Sequence, residues 1–155
     1  MPINRRPVSD LLIYVPSVAS TAYTQGDLLY LNSGVATLAS AQADQSSEAA
    51  NQALFADNFL GVCHGKKLAS NSGTDEIAVS CDGEFEFPCD STTWAVGEFA
   101  AAQEQSNGTQ LENQKVKKTS TRADAIGVCV KAGTSITKVR IVLWSRFNKP
   151  LTQGT

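Results

Sequence analysis

The sequence predicts an all-β protein: a small β-barrel or β-tulip built from a duplicated β-unit, with one short helix or ordered loop inserted near residues 41–55. Three observations predict it. The stretch Leu60-Gly61-Val62-Cys63 is echoed at Ile126-Gly127-Val128-Cys129, each copy preceded by a Gly-acid turn and followed by an alternating strand. Short apolar or alternating runs, nine or ten of them, recur between turn signals at the spacing of a sandwich or barrel. Only residues 40–57 break that pattern, with an Ala-, Gln- and Glu-rich run.

Taken in order, residues 1–9 read as an extended arm, because Pro2 and Pro7 oppose a helix start there. The arm is either a frayed terminus or a segment that orders on a partner. Residues 10–145 read as one barrel domain and 146–155 as a polar tail. Leu11 to Val15 is β-branched and aromatic, hence a strand, and Pro16 closes it or marks an edge. Gly26-Asp27 turns the chain into Leu28-Leu29-Tyr30-Leu31, and Asn32-Ser33-Gly34 reverses it into Val35 to Leu38. Within 41–55, Ala49, Ala50, Ala53 and Leu54 share a helical face, with Ser46 or Ser47 as the cap.

Phe59 to Cys63 is the next strand, and 64–75 a mobile polar connection. Glu76 to Cys81 and Glu84 to Phe87 alternate across an Asp82-Gly83 turn, the second run ending before Pro88. That alternation puts Phe85 and Phe87 on one face and Glu84 and Glu86 on the other. In the second copy, Gly97-Glu98 leads into Phe99 to Ala102. Lys115 to Thr119 is an exposed strand with a basic, edge-protecting face, and Thr137 to Trp144 closes the unit.

Composition narrows function. Charged residues make up 18% of the chain, below the ~25% of ordinary soluble domains, so much of the surface is neutral and polar. A net charge of −2 provides no basic field for nucleic acid. No apolar run approaches the ~18 residues of a membrane span, and no signal-peptide core follows the N-terminus. Cys63, Cys81, Cys89 and Cys129 form no CxxC pair, so reduced buried thiols are expected over a zinc site. Cys63 and Cys129 hold matching repeat positions, which leaves a pairing between them open.

Chemistry-bearing groups are sparse. His64 is the single histidine, and Cys63 beside it points to the opposite face of a strand. Asp75-Glu76 and Asp82-Gly83-Glu84 lack the regular spacing of a calcium loop. Phe85, Phe87, Trp94, Phe99 and Trp144 fit a β core better than a base or sugar platform. The expectation is no catalytic residue, no metal and no cofactor.

The order of these motifs resembles a known family. Gln25-Gly26-Asp27-Leu28-Leu29-Tyr30, Asn32-Ser33-Gly34-Val35, Phe59-Leu60-Gly61-Val62, Val96-Gly97-Glu98, Ile126-Gly127-Val128 and Val139 to Leu143 together resemble the head decoration, or capsid cement, proteins of tailed bacteriophages. The likeness covers about residues 20–145, with 41–55 and 103–121 standing out as insertions. It implies a non-enzymatic protein of the virion, made in the host cytoplasm. Such a protein binds the capsid exterior as a homotrimer, at least on the shell. It bridges subunits of the major capsid protein and touches neither nucleic acid nor membrane. By the same resemblance the arm residues Ile3, Asn4, Arg5, Arg6 and Pro7 would contact the capsid, by adding a strand to it. Two other readings stay open: a trimeric small β-barrel nucleotide hydrolase, and a carbohydrate-binding module using Trp94 or Trp144.

Overall fold

A computed structural model of the chain describes residues 11–148. The expected 1–9 arm, with Ile3 to Pro7, and the tail beyond 148 lie outside the described residues.

The first half of the chain forms β1 (Leu12–Pro16), β2 (Leu28–Asn32), β3 (Val35–Leu38), a helix α1 (Glu48–Asn58), β4 (Phe59–Cys63) and β5 (Glu76–Ser80). The second half forms β6 (Glu84–Trp94), β7 (Phe99–Glu104), β8 (Leu111–Thr119), β9 (Gly127–Cys129) and β10 (Gly133–Leu143). These make two five-stranded sheets, ordered β1-β5-β4-β2-β3 and β6-β10-β9-β7-β8. Every neighbouring pair is antiparallel. The two orders are the same permutation, so the duplication extends from a four-residue echo to the whole topology.

The register repeats as well. Leu28 and Leu29 pair with Val62 and Gly61, and Phe99 and Ala100 pair with Val128 and Gly127. Cys63 pairs with Val79 and Cys129 with Ile141. In the turns, Gly26 N–H donates to the Cys63 carbonyl at 2.9 Å and Gly97 N–H to the Cys129 carbonyl at 2.8 Å. The Asp27 and Glu98 carboxylates each accept a backbone N–H three residues upstream at 2.8 Å. The Gly-acid pair is thus one device used twice: glycine lets the chain turn tightly, and the acid side chain caps the turn.

β4 is buried along its whole length, which a two-sided strand manages only if both faces are covered. Leu60 and Cys63 fill the interior of the first sheet with Val15, Tyr23, Leu29, Ala36, Ile77, Val79 and Cys81. Phe59 and Val62 instead join the larger core that runs through the second sheet, with Phe55, Trp94, Val116, Ile126, Ile141 and Leu143. A register break between Leu29 and Tyr30 makes this possible. The extra residue of the bulge lies at Leu60-Gly61, where Gly61 has φ +155°. The first sheet curls until Ser17 bridges Ala36, bringing the end of β1 to β3.

Several expectations change. Pro88 does not end its strand, because β6 runs through it to Trp94. β6 is an edge strand, and Pro88 sits beside a register irregularity, where a missing N–H disturbs the ladder least. The segment 103–121 is no insertion. It is the end of β7, a hairpin and β8, and it contributes Leu111 and Val116 to the core. Helix α1 forms where expected, with Ser47 Oγ accepting from Ala50 N–H. Its buried face, however, is Asn51, Gln52, Phe55 and Ala56, not the Ala49/Leu54 face. The two amides are buried because the fold satisfies them. Gln52 Nε2 donates to the Ala102 carbonyl at 2.9 Å, and Asn51 Nδ2 donates to Asp44 and Glu104 at 3.0 Å each. Periodicity of apolar residues cannot see a face held by amides.

Candidate functional site

His64 is exposed, and its Nδ1 lies 3.5 Å from Ser80 Oγ, with Ser80 itself buried. Cys63, on the opposite side of the strand, is buried and its thiol donates to the Gly65 carbonyl. The two are not a proton-sharing pair. Three of the four carboxylates singled out by sequence are engaged one by one. Asp75 accepts from Asn71 at 2.9 Å, Asp82 accepts the Leu11 N–H, and Glu84 pairs with Arg140 at 3.1 Å. Among the described residues no three His, Cys, Asp or Glu side chains converge on a possible metal position.

All four cysteines are free and buried. Cys63 and Cys129 lie in different cores, so the repeat does not bring them together. Their thiols repeat one another locally: each donates at 3.3 Å to the carbonyl two residues on, Gly65 and Lys131. Burial pushes the Cys63 thiol up, and the Cys81 thiol up to about 11. Because all four thiols are shielded from solvent, and the reactive thiolate form is further disfavoured at Cys63 and Cys81, folded protein should react with a disulfide reagent far more slowly than free cysteine, by at least ~100-fold. All four thiols should titrate once denaturant is added. A fast-reacting thiol in folded protein at neutral pH would contradict this.

Neither tryptophan offers a bare face. Trp94 is 1% exposed, and Lys118 Nζ lies 5.6 Å from its ring centroid. Trp144 is flanked by Phe99 at 5.6 Å and by the Arg122 guanidinium at 5.1 Å. A sugar-binding platform needs an open ring plane, so these positions weigh against the carbohydrate reading.

The lysines of β8 do more than guard an edge. Lys115 pairs with Asp90 at 2.6 Å, Lys117 with Glu48 of α1 at 2.6 Å, and Lys118 with Glu98 at 2.9 Å. Lys118 also donates to the Thr93 carbonyl, and Gln103 to Asp90. The edges of the second sheet, β6 and β8, are therefore stitched by side chains. A shallow cleft runs along this seam, lined by Cys89, Trp94, Gln103, Val116 and Lys118 among others. The Trp94 indole N–H and the Gln103 carbonyl oxygen beside it lack partners at hydrogen-bond geometry. Burial raises the Cys89 thiol against the pull of that nearby indole N–H.

Two features escaped the sequence reading. The first is Lys67, 5% exposed, whose ammonium donates to Ser17 Oγ at 2.8 Å, the Val18 carbonyl at 2.7 Å and the Gly73 carbonyl at 2.6 Å. Lys67 and Tyr23 also exchange both backbone hydrogen bonds. The 64–75 connection, expected to be mobile, is thus pinned to the loop after β1. The second is the set of exposed apolar side chains at one side of the first sheet: Leu11, Leu12 and Tyr14. The sequence reading made this run a strand that Pro16 closes or marks as an edge, and β1 is an edge strand, but which of its side chains face outward was not readable from a uniformly apolar run.

No protein-family model matches this chain, and no curated protein matches it.

Proposed function

We propose that this chain is a structural protein that decorates the exterior of a tailed-phage head and bridges neighbouring major capsid subunits, acting as a homotrimer at least on the shell. One observation carries the reading: a twice-used, tightly cross-braced β frame holds Asp27, Glu98, Glu48, Asp90, Lys115, Lys117 and Lys118 in its own turns and seams. Among its exposed polar groups the described surface also carries large apolar side chains, including Leu11, Tyr14, Leu68, Val96 and Phe147. Such a surface suits contact with other proteins. The resemblance of the turn and strand motifs supplies the kind of partner. On this reading the protein takes no cofactor, and Ile3, Asn4, Arg5, Arg6 and Pro7 reach the shell.

Electron microscopy of expanded heads mixed with the protein tests the proposal, with extra density on the outer surface as the expected result. Removing residues 1–9 should leave thermal unfolding unchanged and weaken head binding by about 100-fold or more, because three arms act together in a trimer. Undiminished binding would remove the arm from the interface. Heads with no added density at saturating protein would sink the proposal as a whole.

A further inference from the structure

We infer that β1 is a self-pairing edge, through which two copies of this chain join their first sheets across a twofold axis at Ile13. In an antiparallel ladder, successive residues alternate between facing the partner strand and facing away. The Leu11 carbonyl accepts from Cys81 N–H at 2.8 Å and Ser17 N–H donates to the Asp75 carbonyl at 3.1 Å. Between these, Leu12 pairs with Ser80, Ile13 with Val79, Tyr14 with Ala78 and Val15 with Ile77. Leu11, Ile13, Val15 and Ser17 therefore direct their backbone groups toward β5. Leu12 and Tyr14 direct theirs outward, and no strand among the described residues pairs with them there.

The side chains agree with the backbone. Ile13 and Val15 pack inward, whereas Leu12 and Tyr14 stand on the outer face at 37% and 63% exposure. Phe147 is also exposed, and Asn148 beside it donates to the Cys81 carbonyl, next to Leu11. The apolar patch thus continues past the strand end.

A second copy is the occupant the geometry favours. Centred on Ile13, the strand is its own antiparallel complement: Leu12 of one copy meets Tyr14 of the other, twice over. Both are the residues with outward backbone groups, so four hydrogen bonds form. The interface is isologous. From Leu11 to Gly26 the chain has no charged residue, so nothing on the strand repels a like copy. The other edges are guarded. β8 has Lys115, Lys117 and Lys118, and β6 has Glu84, Glu86, Pro88 and Asp90. β3 is bridged at Ala36 by Ser17. Pro16 limits the ladder at one end, which makes a short, reversible contact of the weak class.

The pairing does not depend on the capsid reading, and the full chain tests it. Sedimentation across a concentration series should show a monomer–dimer equilibrium. Tyr14→Lys and Leu12→Glu should each weaken it by about tenfold or more while leaving thermal unfolding unchanged. Mixing the two variants should restore dimers, because the substituted positions face each other across the axis. Amide exchange at Leu12 and Tyr14 should slow as concentration rises, while Ile13 is protected at every concentration. A monomer throughout, a dimer indifferent to both variants, or concentration-independent protection at Leu12 and Tyr14 overturns the proposal. The last result would place a segment of the same chain on the edge. A trimer unaffected by either variant overturns the pairing and leaves the capsid reading standing. Dimers with the expected register but no binding to heads do the reverse.

Discussion

Gly61→Ala should destabilise the protein by about 3 kcal/mol or more, at the upper end of what overpacking costs. A Cβ at Gly61 would lie 2.1 Å from the Ser80 carbonyl oxygen and 2.9 Å from its carbon. Those atoms are backbone in the neighbouring strand, so no side-chain rotation relieves the clash. The strand would have to move, and with it the bulge that sends Leu60 and Val62 into different cores. Gly127→Ala meets the equivalent obstacle, the Val142 carbonyl oxygen at 2.4 Å, and should cost a comparable amount. Gly34 is the control. A Cβ there touches nothing within 4 Å, and its φ of +84° carries only the conformational cost of alanine, about 1 kcal/mol. Denaturant unfolding of the three variants measures this ordering. Gly61→Ala within ~0.5 kcal/mol of the parent would mean the two strands can part without loss, contrary to close packing.

Lys67→Met should cost about 2–4 kcal/mol. Methionine fills the volume of the aliphatic stem but donates no hydrogen bond. Ser17 Oγ and the carbonyls of Val18 and Gly73 would lose the ammonium they share. Half-buried acceptors left unmet account for most of the loss, since an unsatisfied buried group costs ~1–3 kcal/mol. Lys67→Arg should not rescue, because a planar fork cannot meet three acceptors grouped around one nitrogen. The 68–75 loop of either variant should become a protease target while the second sheet keeps its amide protection. Wild-type stability in Lys67→Met would show that water already serves those carbonyls.

How much of this was legible in the sequence follows from the kind of signal each feature leaves. The Gly-Val-Cys echo was readable because a close strand approach requires glycine, and both copies need it at the same place. Strand positions were readable from alternation, as at Phe85 and Phe87. Pro88 misled because the rule against proline in strands holds for central strands, and whether a strand is central depends on the other nine. The face of α1 was hidden because Asn51 and Gln52 are buried by partners more than 40 residues away in one direction, at Ala102 and Glu104. Lys67 looked like solvent-exposed charge, and only its three acceptors, two of them at Ser17 and Val18 far back in the chain, make it interior. At the candidate interaction surface, the neutrality of residues 11–26 was visible, but the exposure of Leu12 and Tyr14 depends on β1 having one neighbour.

The repeated strand order also bears on how the chain reaches its native state. Each half closes by joining its first strand to its last, β1 to β5 and β6 to β10, and no strand ladder crosses between halves. Pairing of this kind lets an emerging polypeptide complete one sheet from local partners before the next is synthesised. What cannot form early is the clasp after β10. There Arg146 N–H reaches the Phe59 carbonyl at 2.8 Å and Asn148 reaches Cys81, binding residues made after both sheets to the first of them. Docking of the two halves is then a late event, and a chain truncated before Arg146 would hold two formed sheets with a weakened joint between them.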